Sequence, residues 1–374
     1  MKVAFRTDAS LQIGTGHVMR CLTLADALRE RAKAQCHFIC RAHLGHLAEV
    51  IRTKGYSVTL LPTAEGQPAP LEDTVDGDCP QPAHARWLGV DWQTDSVQTL
   101  AALHAESIAD WLIVDHYALD HRWERATRPL YRHLMVIDDL ADRDHDCDLL
   151  LDQNLGKRAS EYATRVPAHC RVLAGTRYAL LRPEFARLRP QSLARRRRIT
   201  TVKHLLVSFG GVDKDNATGA ILAALRPGDL PADCAITVIM GRSAPWLPTV
   251  KEQAIQLPWA TRVLVDVQNM APLMAESDLA IGAAGTTSWE RCCLGLPAIV
   301  VVLADNQRPG ADALARANAV VVLRKCGDEQ KASLTGTLDK AQSNLFDLAA
   351  NASTLCDGDG AARIVTHFEL RHAA

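Results

Sequence analysis

The 374-residue chain has almost no net charge, with 42 Lys and Arg against 43 Asp and Glu and a formal charge of -1. That balance excludes the overall basic field that gathers nucleic acid or an anionic membrane surface, so any anionic ligand must be held by local groups. The 11 cysteines are scattered and contain no C-x-x-C spacing, which argues against a zinc or disulfide framework. Cys36 and Cys40, and the adjacent Cys292 and Cys293, stand in apolar segments as reduced buried thiols do. His43 and His46 could pair as ligands but lack convincing partners nearby and read as solvated surface histidines, so no metal and no cofactor are expected. No apolar run reaches membrane-spanning length and no basic leader precedes the opening KVAF. The expectation is a cytoplasmic protein with neither a membrane nor a nucleic-acid partner.

Two further absences concern catalysis. Gly14-Thr15-Gly16-His17 lacks the third glycine of a dinucleotide fingerprint, the position being Met19, so a bound pyrophosphate is not signalled there. Ser208 is not part of a G-x-S-x-G elbow and is no nucleophile candidate.

Short apolar runs alternate with amphipathic stretches along the chain, the pattern of parallel βα units. KVAFRTD, CHFICR, YSVTLLP, WLIVDHY, LMVIDDL and LLLDQN read as strands in the first half. KHLLVSFGG, CAITVIMG, RVLVDV, DLAIGAAG and AIVVVL read as strands in the second. Helices are expected over Val18–Arg31, His43–Lys54, Thr94–Ser107 and LDHRWERATRPLYRH, then over ATGAILAAL, Pro245–Ile255, MAPLMAES and from Ser288. Gly66–Pro82, rich in Pro, Gly and Asp, reads as an irregular, mobile rim. The charge run Arg195–Arg198 reads as a solvated linker. The expected architecture is α/β: two Rossmann-like doubly wound domains facing a cleft, 1–190 and 191–374, with ligands at the carboxyl ends of the strands.

Three turns there are equipped for chemistry. In IGTGHVMRC, two glycines lead to His17 on the first turn of a helix. The positive end of a helix disfavours an imidazolium, which suits a proton acceptor; the plain alternative is a histidine that packs at the turn. In SFGGVDKDN, Gly210 and Gly211 let the backbone approach a ligand and the next helix offers N–H groups to an anion, although paired glycines also mark ordinary turns. In GAAGTTSWE, Gly282 and Gly285 open a turn with the hydroxyls of Thr286, Thr287 and Ser288, a set suited to a diphosphate. The competing reading is a capping box, Thr287-x-x-Glu290. Asp115-His116-Tyr117 and Asp138-Asp139 end apolar strands, where the carboxylates suit either a metal or helix caps. Asn306-Gln307 offers amides for sugar hydroxyls or acetamido groups.

Taken in order, RTDASLQIGTGHVMRCLTLADAL, RWLGVDWQTD, IVDHYALD, VIDDLADR, LLLDQN, YALLRPEF, VSFGGVD and GAAGTTSWER resemble the UDP-2,4-diacetamido-2,4,6-trideoxy-β-L-altropyranose hydrolase family of pseudaminic acid biosynthesis. The resemblance runs from Met1 to about Gln307 and implies the two-domain GT-B fold of glycosyltransferases such as the lipid II synthase. It implies a metal-independent enzyme that releases UDP from a UDP-sugar with water as acceptor. Residue by residue it places the catalytic base on His17, beside Gly16, and an active-site tyrosine on Tyr117. It places nucleotide contacts on Gly211, Thr286, Thr287 and Ser288, a ribose contact on Glu290, a backbone platform for uracil at Met240 and a substrate amide at Asn306. Ala284 stands where the family often has glycine.

Overall fold

A computed structural model describes residues 1–63, 81–104, 108–303, 305–323 and 330–372; most of the expected Gly66–Pro82 rim lies outside them. Two compact units are present, Met1–Leu180 with Ala361–Ala374, and Leu181–Gly360. The division falls ahead of residue 190, and the end of the chain returns to the first unit.

The first unit is built on seven parallel strands: β1 (Lys2–Thr7), β2 (Gln35–Arg41), β3 (Ser57–Leu61), β4 (Ala109–Asp115), β5 (Tyr131–Ile137), β6 (Leu149–Asp152) and β7 (Arg171–Ala174). Their order is β3-β2-β1-β4-β5-β6-β7. Phe5 pairs with Phe38 on one side and Ile113 on the other, and its ring stacks on Phe38 at 4.7 Å. Because helices cover both faces, the central strands read as continuous apolar runs and were legible as such. The second unit repeats the plan with β8 (His204–Ser208), β9 (Ala235–Met240), β10 (Ala260–Val265), β11 (Leu279–Ala283), β12 (Ala298–Val301) and β13 (Val321–Leu323), ordered β10-β9-β8-β11-β12-β13. In each sheet the order reverses direction once, between β1 and β4 and between β8 and β11. The crevice outside strand ends at such a reversal is where open α/β sheets bind ligands. IGTGH follows β1, DHY ends β4, FGG follows β8 and GAAGTTS follows β11.

Several local expectations are corrected. The helix expected over His43–Lys54 is confined to Ala48–Thr53, because Gly45 at φ +87 makes a turn first. LDHRWERATRPLYRH is a short helix, His121–Ala126, and a 3-10 turn before β5 begins at Tyr131. The run Arg195–Arg198 is only in part solvated: Arg195 and Arg196 end the helix Pro183–Arg196 of the second unit, and Arg197 and Arg198 beyond it are exposed. Arg196 is buried and donates to the carbonyls of Ser277 and Met274, while Arg195 pairs with Asp278. Those carbonyls end the helix Met270–Glu276, where orphan acceptors and the negative end of the dipole favour a cation. Among the described residues the cysteines are free thiols, and no helix is long and apolar enough to cross a membrane.

Beside the end of β6, Tyr162 Oη lies 3.0 Å from Asp138 Oδ2 and 2.9 Å from Asp152 Oδ2. One hydroxyl proton cannot serve two carboxylates, so one carboxyl must itself donate. Asp138 accepts from Ala141 N and pairs with Arg143, and these partners outweigh its burial and hold it at about 2. Asp152 has no cation in contact and is pushed up to about 7 by burial and by the charge of Asp139. The proton therefore resides on Asp152, which donates to Tyr162, which donates to Asp138.

Two outcomes follow from this packing. Phe368, on the returning helix Gly360–His372, is fully buried with its ring 4.4 Å from Trp111; Phe368→Ala is expected to cost about 3–5 kcal/mol in urea unfolding. A carboxyl whose folded pKa is raised loses stability as pH climbs from its unfolded value to its folded one. For Asp152 that window runs from 3.8 to about 7. Asp152→Asn removes this loss, so the stability of the variant relative to wild type should increase between pH 4 and pH 8, read by denaturant unfolding at both ends.

Candidate functional site

In the first unit, the chain leaves β1 through Asp8, a fully buried carboxylate bonded by Arg6 (2.6 and 2.9 Å) and by the backbone N–H of Arg41 (2.6 Å). His116 Nε2, just past β4, lies 3.2 Å from the same carboxylate. Asp8 thus ties together the loops that follow β1, β2 and β4. Gly14, at φ +82, then closes a turn on Ser10, its N–H donating to the Ser10 carbonyl at 2.9 Å. The helix Gly16–Ala32 starts two residues later with no side-chain cap at Thr15. A Cβ at Gly16 would meet nothing within 4 Å, so no protein neighbour requires glycine there.

His17 sits one residue into that helix, 8% exposed, with Nδ1 2.6 Å from Asp115 Oδ1. A carboxylate at that distance accepts from Nδ1–H, which leaves Nε2 with the lone pair. Arg20, one turn further along, donates Nε and Nη2 to the two oxygens of Asp115, both at 2.6 Å, and Nη1 to Asp139 at 2.6 Å. Burial by itself would raise Asp115; the charge of Arg20 and the hydrogen bonds from Arg20 and His17 outweigh it and hold the group well below the usual carboxylate range.

Asp139 is the second node. Tyr117 Oη donates to its Oδ2 at 2.7 Å, and Asn154 Nδ2 donates to Oδ1 at 2.9 Å. Burial and the adjacent Asp139 push the Tyr117 phenol well above its ordinary range, so it keeps its proton. The Tyr117 ring meets the His17 ring edge-on at 4.6 Å, and Trp87 stacks on Tyr117 at 5.7 Å with His84 beside both. The structure therefore brings His17 and Tyr117 together. It adds Arg20, Asp115, Asp139 and Asn154, of which Arg20 and Asn154 were missed from sequence. Arg20 was accessible: three residues after His17, it shares a helix face with it. Asp138 and Asp139, considered as a metal pair or as caps, divide instead between a turn cap with an Arg143 pair and the Arg20 node.

In the second unit, Gly211 does not precede a helix with free N–H groups, which corrects the expectation for that turn. The Asp213 carboxylate accepts from Ala217 N and Thr218 N, each at 2.9 Å, and the Asn216 side chain accepts from Gly219 N. The first-turn donors are thereby consumed. Gly211 instead gives its carbonyl to Gly241 N at 3.1 Å, an approach so close that a Cβ on Gly241 would stand 2.1 Å from that oxygen. Met240 is buried in the core, and its carbonyl accepts from Asp266 N at 3.1 Å.

After β11, Thr286 is exposed, Thr287 half-buried and Ser288 buried at the start of the helix Thr287–Cys293. The capping box is not formed: the helix has no side-chain cap, and Glu290 instead lies 3.8 Å from Arg182. Burial pushes Glu290 up to about 7 against the charges of Arg182 and Arg291. Arg291 Nη2 donates to Ala283 O at 2.7 Å and to Ser288 Oγ at 2.9 Å, tying the two ends of the turn. Ser288 Oγ accepts there, so its own proton remains available. The Asn306 side chain lies outside the described residues.

Comparison with known proteins places these features in a lineage. Residues 231–364 match the glycosyltransferase family 28 C-terminal domain. The chain is 27% identical over 316 residues to the UDP-2,4-diacetamido-2,4,6-trideoxy-beta-L-altropyranose hydrolase of Campylobacter jejuni, covering 84% of this chain and 97% of the relative. MurG from Acinetobacter baumannii superposes with a TM-score of 0.67 at 14% identity, over 98% of this chain and 99% of its own. S. aureus MnaA, in a co-structure with UDP, does so with a TM-score of 0.57 at 14% identity, over 100% and 97%. At such identities the structural likeness establishes fold alone. The chain is a two-domain, Rossmann-like protein of the GT-B architecture, and its resemblance to the UDP-2,4-diacetamido-2,4,6-trideoxy-beta-L-altropyranose hydrolase extends over most of its length.

Proposed function

We propose that this protein hydrolyses UDP-2,4-diacetamido-2,4,6-trideoxy-β-L-altropyranose to the free sugar and UDP by inverting C–O cleavage. The observation that carries the reading is the oriented imidazole: His17 Nδ1–H donates to the Asp115 carboxylate and leaves Nε2 as an acceptor, in a chain related to a hydrolase over 84% of its length. Water attacks the anomeric carbon as its proton passes to Nε2, and the carbon–oxygen bond to UDP breaks with the electron pair leaving on the diphosphate. Asp115 and Arg20 keep the ring in place and compensate the imidazolium that forms, as the carboxylate of a catalytic triad does. Tyr117, its proton committed to Asp139, serves as an acceptor and a packing surface for His17 rather than as an acid. No acid is needed for so good a leaving group. This distinguishes the reaction from two-carboxylate glycoside hydrolysis.

In this reading Thr286, Thr287 and Ser288 hold the diphosphate and stabilise its growing charge. Gly211 and Met240 provide backbone around the base, Glu290 meets the ribose, and Asn306 meets the acetamido sugar. Glu290's raised affinity for a proton reduces the repulsion that an ionised carboxylate would exert on a diphosphate. The match to a glycosyltransferase domain favours one second reading, transfer of the same sugar to an alcohol.

Incubation with the UDP-sugar alone in oxygen-18 water separates the two: label is expected in the sugar and not in UDP, and turnover that requires an added acceptor overturns hydrolysis. His17→Ala should lower kcat by about 10²–10⁴-fold with little change in UDP affinity. Arg20→Met, which leaves Asp115 and Asp139 without their shared cation, should also lower kcat, with partial recovery in Arg20→Lys. Thr287→Ala should weaken UDP binding by about 1 kcal/mol. Equal loss of UDP binding in the His17 and Thr287 variants would make His17 a structural residue.

A further inference from the structure

We propose that Arg291 is a diphosphate-binding cation, contacting a phosphate oxygen of a bound nucleoside diphosphate through Nη1 where that atom passes over Gly282. The proposal rests on the reading of Thr286–Ser288 as the nucleotide turn, and adds to it a residue that the sequence motifs left without a role.

Arg291 is buried, 4% exposed, yet makes no ion pair among the described residues. Its hydrogen-bond partners among the described residues are neutral: Nη2 donates to the Ala283 carbonyl and to Ser288 Oγ. Nε is buried without a hydrogen-bond partner. Nη1 occupies the position a side chain at residue 282 would take, 2.5 Å from where a Cβ would stand. The Ser208 carbonyl oxygen of the neighbouring strand would stand 2.4 Å from the same Cβ, so glycine at 282 admits both that close strand approach and the guanidinium at the strand end from which the GAAGTTS turn departs. Burying a cation against neutral acceptors is costly unless a counter-charge arrives. Burial lowers this group to about 10, so it is still a cation at neutral pH. The carboxylate adjacent in sequence, Glu290, is turned toward Arg182 and is itself pushed up to about 7. An anion at the turn supplies the missing charge, and a guanidinium gives a charge-assisted donor of the kind that recognises phosphate. The helix Thr287–Cys293 is too short to supply that charge through its dipole; the arginine supplies it.

Calorimetric titration of the full chain with UDP and with uridine tests this, using Arg291→Met, which keeps length and removes charge, and Arg291→Lys. UDP affinity is expected to fall about 10-fold or more in Arg291→Met and by less in Arg291→Lys, with uridine affinity unchanged in both. Equal loss of UDP and uridine binding would show that Arg291 merely holds the loop, and unchanged UDP binding would show that it does neither; either result overturns the proposal. If Arg291→Met does not fold, Arg291→Lys is judged by the same comparison. The outcome is separable from the hydrolase reading. UDP binding that depends on Arg291, without turnover of the UDP-sugar, leaves this proposal standing and removes that one, whereas turnover with Arg291-independent UDP binding does the reverse.

Discussion

The candidate site of the first unit depends on one buried cation shared by two carboxylates. Arg20 bonds both oxygens of Asp115 and one of Asp139, and each carboxylate in turn holds a ring: Asp115 holds His17 and Asp139 holds Tyr117. Two carboxylates converging on one buried point would repel and take up protons if the guanidinium were absent. A protonated Asp115 would accept from His17 more weakly and could itself donate, and the imidazole would lose the constraint that leaves Nε2 free. The geometry of both rings is therefore a consequence of a charge balance that neither ring contributes to. Asn154 and the proton held by Asp152 extend the same logic outward: Asn154 donates to the far oxygen of Asp139, and a protonated Asp152 adds no further negative charge beside it.

Sequence reasoning reached the strands most readily, for a physical reason. Parallel strands covered on both faces must be apolar throughout, so β1, β4, β8 and β11 announce themselves, and the loops at their carboxyl ends carry the motifs. It missed β7 and β13, whose RVLA and VVL are too short to show a period. It read the whole of Arg195–Arg198 as a solvated run because the acceptors that bury Arg196 lie 81 and 78 residues away in sequence. The site was legible to the same extent. His17 and Tyr117 sit in motifs with local signatures, but the bond from Arg20 to Asp115 spans 95 residues and that to Asp139 spans 119. Such pairings are set by the strand order, which periodicity does not reveal. The S/T-x-x-E pattern at Thr287 misled in the other direction: the local rule was present and the fold used Glu290 elsewhere, against Arg182.

The two units share a plan but differ in how they balance charge. In the first unit the buried cations are neutralised from within: Arg6 and Arg41 by Asp8 and Asp95, Arg20 by Asp115 and Asp139. What is left at its strand ends is an imidazole, a phenol, an indole and an amide, groups suited to a neutral, hydroxyl- and amide-bearing ligand. In the second unit, Arg291 is buried against neutral acceptors while the nearest carboxylate is drawn off by Arg182. That leaves a buried cation without a direct ion pair at the end of β11, beside three hydroxyl side chains. Under the proposed function a diphosphate there would pair with that cation, whereas the internally paired charges of the first unit suit a neutral ligand.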